Sequence, residues 1–95
     1  MQATKTEKPL FLAGQVVMTQ GASEALTVPQ AYDLLFKHLS GDWGDLCQED
    51  KDANDSAVLR GERILSAYTA PNGESVWIIT EYNRSVTTLL LPSEY

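Results

Sequence analysis

The pattern of apolar and polar residues predicts a strand and a helix in the first half of the chain. Apolar residues between 11 and 19 surround Gly14 and favour a short strand, which Gly21-Ala22-Ser23 is expected to end. Thr27 and Gln30 then have the spacing of a capping box, and Ser40-Gly41 is a typical helix end. Between them, apolar residues recur at the spacing of one helix face: Ala31, Leu34, Leu35, His38 and Leu39.

The second half predicts another helix and three strands. The helix runs from about Asp45 to Arg60, with Gly61 as its stop. Residues 63–69, 75–81 and 85–91 are rich in the β-branched and aromatic types that favour strands. The order β-α-α-β-β-β predicts an α+β fold, with a three- to four-stranded antiparallel sheet and two helices packed on one face. The first strand would join an edge of this sheet.

Length and composition predict one domain. The 95 residues fit a single domain at 10–95, and the polar, aperiodic residues 1–9 are expected to form a flexible tail. No apolar run approaches the ~20 residues of a membrane helix, and no signal-peptide pattern follows the N-terminus. We therefore expect a cytoplasmic protein with no membrane partner. Cys47 is the only cysteine, which excludes an intrachain disulfide.

The negative charge is concentrated in one segment. The chain has a net charge of −6, and residues 42–55 hold six acidic residues against Lys51. Direct binding of nucleic acid is not expected, because phosphate groups require a basic surface. Asp45, Glu49 and Asp52 are predicted on the outer side of the second helix. This side is either solvated or a surface for a basic partner, where carboxylates could imitate DNA phosphates.

Two polar residues fall on the apolar side of the same helix, Asp50 and Asn54. A carboxylate in a core is costly unless it is paired or hydrogen-bonded. Three interpretations remain open. The residues could form a buried polar pair bonded to a loop N–H, a Trp indole or Arg84. They could form a small functional site with Asp50 as acid, base or ligand. Both could also be exposed, if the helix is rotated.

Further candidates for chemistry are weak. His38, the only histidine, lies on the apolar stripe and is expected to be a packed, satisfied residue. A nucleophile–base pair of Cys47 and His38 has no support in the local sequence. The chain lacks zinc-ligand spacing and a glycine-rich phosphate loop, and Asp50, Asp52 and Asn54 lack the glycine and distal glutamate of a calcium loop. We predict no catalytic residue, cofactor or metal ion.

Several segments resemble one family of small bacterial proteins found on plasmids and integrated mobile elements. They are Gly41-Asp42-Trp43-Gly44, Glu49-Asp50, Ala53-Asn54-Asp55, the strand from Ile64 to Tyr68 and the stretch from Trp77 to Pro92. Some members are labelled plasmid-related protein or type I restriction subunit M. A methylation subunit needs a large cofactor domain, which exceeds 95 residues. The resemblance therefore implies an element-encoded accessory protein and assigns no site residue.

Three functional hypotheses follow. The leading one is a non-enzymatic binding or accessory protein with a protein partner, which could be a second copy joined through an exposed sheet face or edge. The second is an acidic DNA mimic that inhibits a restriction enzyme or another nucleic-acid enzyme through Asp45, Glu49 and Asp52. The third is a small enzyme with an inward polar cluster of Asp50, Asn54 and Arg84.

Overall fold

The structure, a computed structural model, describes residues 8–95. The strands are β1 (Gln15–Met18), β2 (Ile64–Thr69), β3 (Ser75–Thr80) and β4 (Val86–Leu90). The α-helices are α1 (Gln20–Ala25), α2 (Val28–Leu39) and α3 (Gln48–Arg60), and a 3-10 turn covers Pro92–Glu94. Residues 1–7 of the predicted flexible tail lie outside the described range.

The four strands form one sheet in the order β1-β4-β3-β2. β2, β3 and β4 are antiparallel neighbours, and β1 joins the edge beside β4, as predicted. β1 runs parallel to β4, with Gln15 opposite Val86 and Met18 opposite Leu89. The α+β prediction is therefore confirmed, but the purely antiparallel sheet is wrong, because the sheet is mixed. Three helices and two strands separate β1 from β4, and such a long connection can return the chain in either direction.

β1 is shorter than the predicted strand at 11–19. Gly14 interrupts it with a φ of +65°, and a Cβ there would lie 2.4 Å from the carbonyl oxygen of Arg84. Only glycine accepts both this backbone conformation and this close approach. Phe11 precedes the break and is buried, with its ring stacked on Trp43 at 6.2 Å between centroids.

The first strand ends before Gly21-Ala22-Ser23, as predicted, but these residues belong to α1, a third helix that the prediction of two helices lacks. The Thr19 side chain caps the helix by accepting from the Ala22 N–H, and Ala22 is fully buried in the core. The Gly21 N–H donates to the carboxylate of Glu94 at 2.9 Å, across 73 residues of sequence. Tertiary contacts thus outweigh the low helix propensity of glycine.

The ends of the two longer helices follow local signals in part. The capping box of α2 is confirmed: Gln30 N–H donates to Thr27 Oγ1 at 3.3 Å, and Thr27 N–H donates to Gln30 Oε1 at 2.9 Å. Gly61 ends α3 in the left-handed conformation, as predicted. α3 begins at Gln48, later than the predicted start near Asp45, because Asp45 N–H donates to the Ala67 carbonyl of β2 instead of starting the helix.

The two hydrophobic clusters of the core lie on the face of the sheet that α1 and α2 cover, and α3 packs along the β2 edge. The larger cluster joins α1 and α2 to the middle of the sheet, through Ala22, Leu26, Ala31, Leu34, Tyr68, Ala70, Val76, Ile78 and Leu89. The smaller cluster lies under α3, with Phe11, Trp43, Ala57 and Ile64. On the opposite face, Tyr95 packs edge-on against Trp77 at 5.7 Å. None of the helices within residues 8–95 has the length and apolar content needed to cross a membrane.

Candidate functional site

The predicted inward cluster is only partly inward. Asn54 is buried, and its side-chain amide bonds to the backbone of Leu65: Nδ2 donates to the carbonyl at 2.7 Å and Oδ1 accepts from the N–H at 3.4 Å. Asp50 is exposed, so its predicted inward position is wrong. It lines a surface depression of about 290 Å³ beside Asn54 and Arg63. Both polar atoms of the Asn54 side chain are already used by Leu65.

Arg84 donates to backbone carbonyl groups near the C-terminal end of α3 and does not bond to Asp50. Its Nη2 donates to the carbonyl of Ala57 at 3.0 Å, and Nη1 donates to the carbonyl of Glu62 at 2.6 Å. These carbonyl groups lie in and just beyond the last turn of α3, where a positive charge complements the helix dipole. The guanidinium lies over the Phe11 ring at 5.5 Å. Arg84 therefore has a structural role at these contacts.

The three residues predicted to face outward are exposed, but they do not form one row on a helix. Glu49 and Asp52 lie on α3, where Asp52 accepts from Gln48 Nε2 at 2.9 Å. Asp45 precedes the helix and accepts from the Thr69 hydroxyl at 2.9 Å. Because Asp50 is exposed as well, α3 presents three acidic side chains to solvent within its first five residues.

A buried polar network crosses the sheet beneath α2. It consists of four fully buried side chains: His38, Ser66, Thr80 and Thr87. Ser66 Oγ bonds to His38 Nδ1, and His38 Nε2 lies 2.9 Å from Thr80 Oγ1. Thr80 and Thr87 hydroxyls are 2.7 Å apart, and Thr87 donates to the carbonyl of Ala13 at 2.7 Å. The prediction that His38 is a packed, satisfied residue is confirmed.

The direction of these hydrogen bonds follows from the last one. The single hydroxyl proton of Thr87 is donated to the carbonyl of Ala13. The hydrogen bond between the two threonines must therefore be donated by Thr80 to Thr87. Thr80 then accepts from Nε2–H of His38, which leaves Nδ1 to accept from Ser66. His38 is therefore the neutral Nε2–H tautomer. Burial, with a smaller contribution from the positive charge of Arg84, lowers its pKa to about 3.

This network has no route to a substrate. Ser66 and His38 have the residue types of a nucleophile and its base, but both are fully buried and bonded within the core. Cys47 is exposed at the start of α3, so the structure does not bring a Cys47–His38 pair together. Within residues 8–95, no group of three or more His, Cys, Asp or Glu could hold a metal ion.

The two edge strands of the sheet, β2 and β1, differ in whether their outward backbone groups are hydrogen-bonded. At the β2 edge, Asn54 bonds to both backbone groups of Leu65. Ala67 also has both groups satisfied, because its N–H donates to the carbonyl of Trp43 and its carbonyl accepts from Asp45 N–H at 2.7 Å. The β2 edge is therefore closed against another strand.

The β1 edge is open. Gln15 N–H and Thr19 N–H donate to carbonyl groups of Ser85 and Leu89, on the β4 side. Backbone groups alternate in direction along a strand, so those of Val16 and Met18 point away from β4. No strand of the described chain lies on that side. β1 also lacks the charged residue, proline or bulge that protects many edge strands.

A second apolar stripe on α2 lies beside this open edge. Val28, Tyr32 and Phe36, at successive helix turns, are 67%, 57% and 65% exposed. The first two line a groove of about 290 Å³ whose apolar lining includes Val16, Met18 and Leu35. We define the β1–α2 surface by the groove residues and Phe36 together: Val16, Met18, Val28, Tyr32, Leu35 and Phe36.

Sequence reasoning missed this surface and most of the buried network. The i, i+4, i+8 spacing of Val28, Tyr32 and Phe36 was available in the sequence, beside the stripe that packs in the core. The sequence also indicates that Ser66 and Thr80 are buried polar residues. Side chains alternate along a strand, and each of these two lies at a position that points to the core.

Comparisons with known proteins add no assignment to these features. The sequence matches no protein-family model, and no match is found among curated proteins or solved structures.

Proposed function

We propose that the protein is a non-enzymatic binding protein that contacts another polypeptide through the β1–α2 surface. This agrees with the accessory role of mobile-element proteins that the sequence resemblance implies. The observation that carries the proposal is the exposure of Val28, Tyr32 and Phe36 beside an open strand edge. Backbone groups on the edge can supply affinity, and the apolar stripe can supply specificity, as in other strand-addition complexes.

The size of the exposed stripe supports this proposal. Large aromatic side chains contribute about 150–250 Å² each when fully buried, so the exposed parts of this surface amount to on the order of 500 Å². That value lies in the upper part of the range for the largest apolar patch of a monomer, roughly 300–600 Å². Tyr32 adds a hydroxyl group to an apolar ring, the combination that is enriched at protein interfaces.

Replacing Tyr32 and Phe36 by glutamine should abolish partner capture. Immobilised wild-type protein is mixed with a lysate of the bacterial host, and the captured polypeptides, including untagged copies of this chain, are identified by mass spectrometry. The double variant should bind the captured polypeptide about tenfold more weakly or worse, because central aromatic residues dominate interface energies. The affinity is then measured with the purified polypeptide by calorimetry.

The matched control is Leu59→Gln. Leu59 is another large apolar residue and is 88% exposed, but it lies on α3, away from the β1–α2 surface. It should bind like the wild type. Equal binding by the wild type and the Tyr32/Phe36 double variant would reject the proposal, as would equal weakening by Leu59→Gln.

A DNA mimic is the second candidate, and the exposure of Asp50 favours it. With Glu49 and Asp52, this residue extends the acidic surface at the start of α3. Carboxylates on a rigid helix can occupy a basic cleft that normally holds phosphate groups. The partner would be a DNA-binding enzyme.

Neutralising Glu49, Asp50 and Asp52 to the corresponding amides should release such an enzyme. Captured enzyme should also be displaced by duplex DNA, because both ligands would compete for one basic cleft. The control changes Glu24 and Asp33, acidic residues of α1 and α2, to their amides. Capture that survives neutralisation on α3, or that duplex DNA does not displace, rejects the mimic.

A further inference from the structure

We infer that the partner of the β1–α2 surface is a second copy of this chain, joined by antiparallel pairing of β1 with β1. This rests on the proposed function and names its partner. In the pair, the two sheets would become one continuous sheet with β1 strands at its centre. The α-helices of both copies would remain on the same face.

The difference between the two sheet edges is the first argument. The fold closes the β2 edge with the Asn54 side chain and the segment at Trp43–Asp45. It leaves the β1 edge without protection, although exposed edges readily pair with other strands. An edge that is largely apolar and unprotected suits pairing with an identical edge.

The alternation of side chains fixes the register of this pairing. Val16 and Met18 point to the helix-covered face, since their partners Thr87 and Leu89 do so. A two-fold axis through Val17 places Val16 opposite Met18 of the other copy, so that residues of the same face meet. The same register pairs every outward backbone N–H and C=O of β1 with its counterpart.

The apolar stripe of α2 completes the contact. The groove residues Val28 and Tyr32 lie on the same side as Val16 and Met18. The two-fold axis therefore brings the exposed side of one α2 towards that of the other. Two patches on the order of 500 Å² bury about 1,000 Å² together, near the lower limit for a specific interface. The strand backbones add further area.

The distribution of charge permits this arrangement. Residues 8–41 hold two lysines and two acidic residues and are neutral, whereas residues 42–55 carry −5. α3 packs on β2, at the end of the sheet opposite to β1. In the pair, the two acidic segments would lie at the far ends of the joined sheet. Their repulsion, screened over about 8 Å at physiological salt, would then be negligible.

Sedimentation of the full-length protein at concentrations up to roughly 100 µM tests the pairing. The wild type should sediment as a dimer, and Val16→Pro should sediment as a monomer. Proline at this position removes only an N–H that points away from β4, so the monomer keeps its own ladder. Circular dichroism checks that the variant is folded. Val16→Thr keeps the backbone N–H and should remain a dimer.

Amide hydrogen exchange of the wild type provides a test that needs no variant. The N–H groups of Val16 and Met18 should be protected in concentrated solution and lose at least tenfold of that protection on dilution to monomer. The N–H of Val17 bonds within the monomer and should stay protected at both concentrations.

The possible outcomes separate this inference from the proposed function. A monomeric wild type rejects self-pairing, and the proposed function stands if Tyr32 and Phe36 still control capture of a different polypeptide. A dimer that survives folded Val16→Pro also rejects strand pairing. A dimer lost in Val16→Pro, with exchange of Val16 and Met18 that follows dilution, supports the inference.

Discussion

Lowering the pH from 7 to 5 should destabilise the folded protein by roughly 2 kcal/mol through His38 alone. The side chain is fully buried, and burial lowers its pKa from 6.5 to about 3 in the folded state. In the unfolded chain the imidazole is exposed and takes up a proton near pH 6.5. Between these two values the unfolded state binds more protons than the folded state, so acid favours unfolding.

The sign and the window of this effect are fixed by the two pKa values. The contribution of His38 to stability is complete above about pH 6.5 and is lost progressively as the pH falls towards 3. The slope is about 1.4 kcal/mol per pH unit. A domain of this size has a total stability of about 5–15 kcal/mol, so this one residue can account for much of its acid sensitivity.

Urea unfolding of the wild type and of His38→Gln at pH 7 and pH 5 measures this contribution. Glutamine can bond to Ser66 and Thr80 but does not titrate, so the variant should lose about 2 kcal/mol less than the wild type over this interval. Carboxyl groups are common to both proteins. Among them, Glu94 has its pKa lowered, chiefly by the hydrogen bond from Thr19, and loses its contribution at still lower pH. Parallel pH profiles for the two proteins would contradict the prediction.

A direct observation complements the unfolding data. His38 is the only histidine of the chain, so its imidazole gives a single set of ring signals in NMR spectra. These signals should report a neutral Nε2–H tautomer down to pH 5. A titration near pH 6.5 would show that the ring is hydrated.

Features set by a few neighbouring residues could be predicted from the sequence. The capping box of Thr27 and Gln30 and the left-handed Gly61 are confirmed because each depends on hydrogen bonds within one or two helical turns. The meander at β2, β3 and β4 is also correct, because short turns connect antiparallel neighbours.

Features set by distant residues could not be predicted. α1 exists because Ala22 packs in the core and Glu94 accepts from Gly21, and neither contact leaves a local signal. The parallel direction of β1 depends in the same way on where three helices return the chain.

The error at Asp50 has a different cause. The sequence pattern predicts a broad apolar side of α3 that covers the sheet. α3 instead packs against the edge strand β2, and its buried residues are only Asn54 and Ala57. A helix in that position needs only a narrow buried stripe. Ala53 and Cys47 are exposed together with Asp50.

Replacing Asn54 by aspartate should cost about 3 kcal/mol at pH 7, the second large effect that we expect. The change keeps the shape of the side chain but removes the N–H that donates to the Leu65 carbonyl at 2.7 Å. A carboxylate oxygen would then face a carbonyl oxygen in a buried position. Urea unfolding measures the loss.

Ser56→Asp is the matched control, since it adds the same charge to an exposed position of the same helix. It should change the free energy of unfolding by less than about 0.5 kcal/mol. If Asn54→Asp costs no more than this control, the Asn54 amide does not hold the β2 edge.

Acid should act on Asn54→Asp and on His38 in opposite directions. Protonation of the introduced carboxyl group restores a donor for the Leu65 carbonyl and removes the buried charge. The difference in free energy of unfolding between the wild type and the variant should therefore shrink as the pH falls. His38 is present in both proteins, and its contribution cancels in this difference. A difference between variant and wild type that stays constant or grows in acid would contradict the prediction, because the introduced carboxyl group would then not act as a buried charge facing the Leu65 carbonyl.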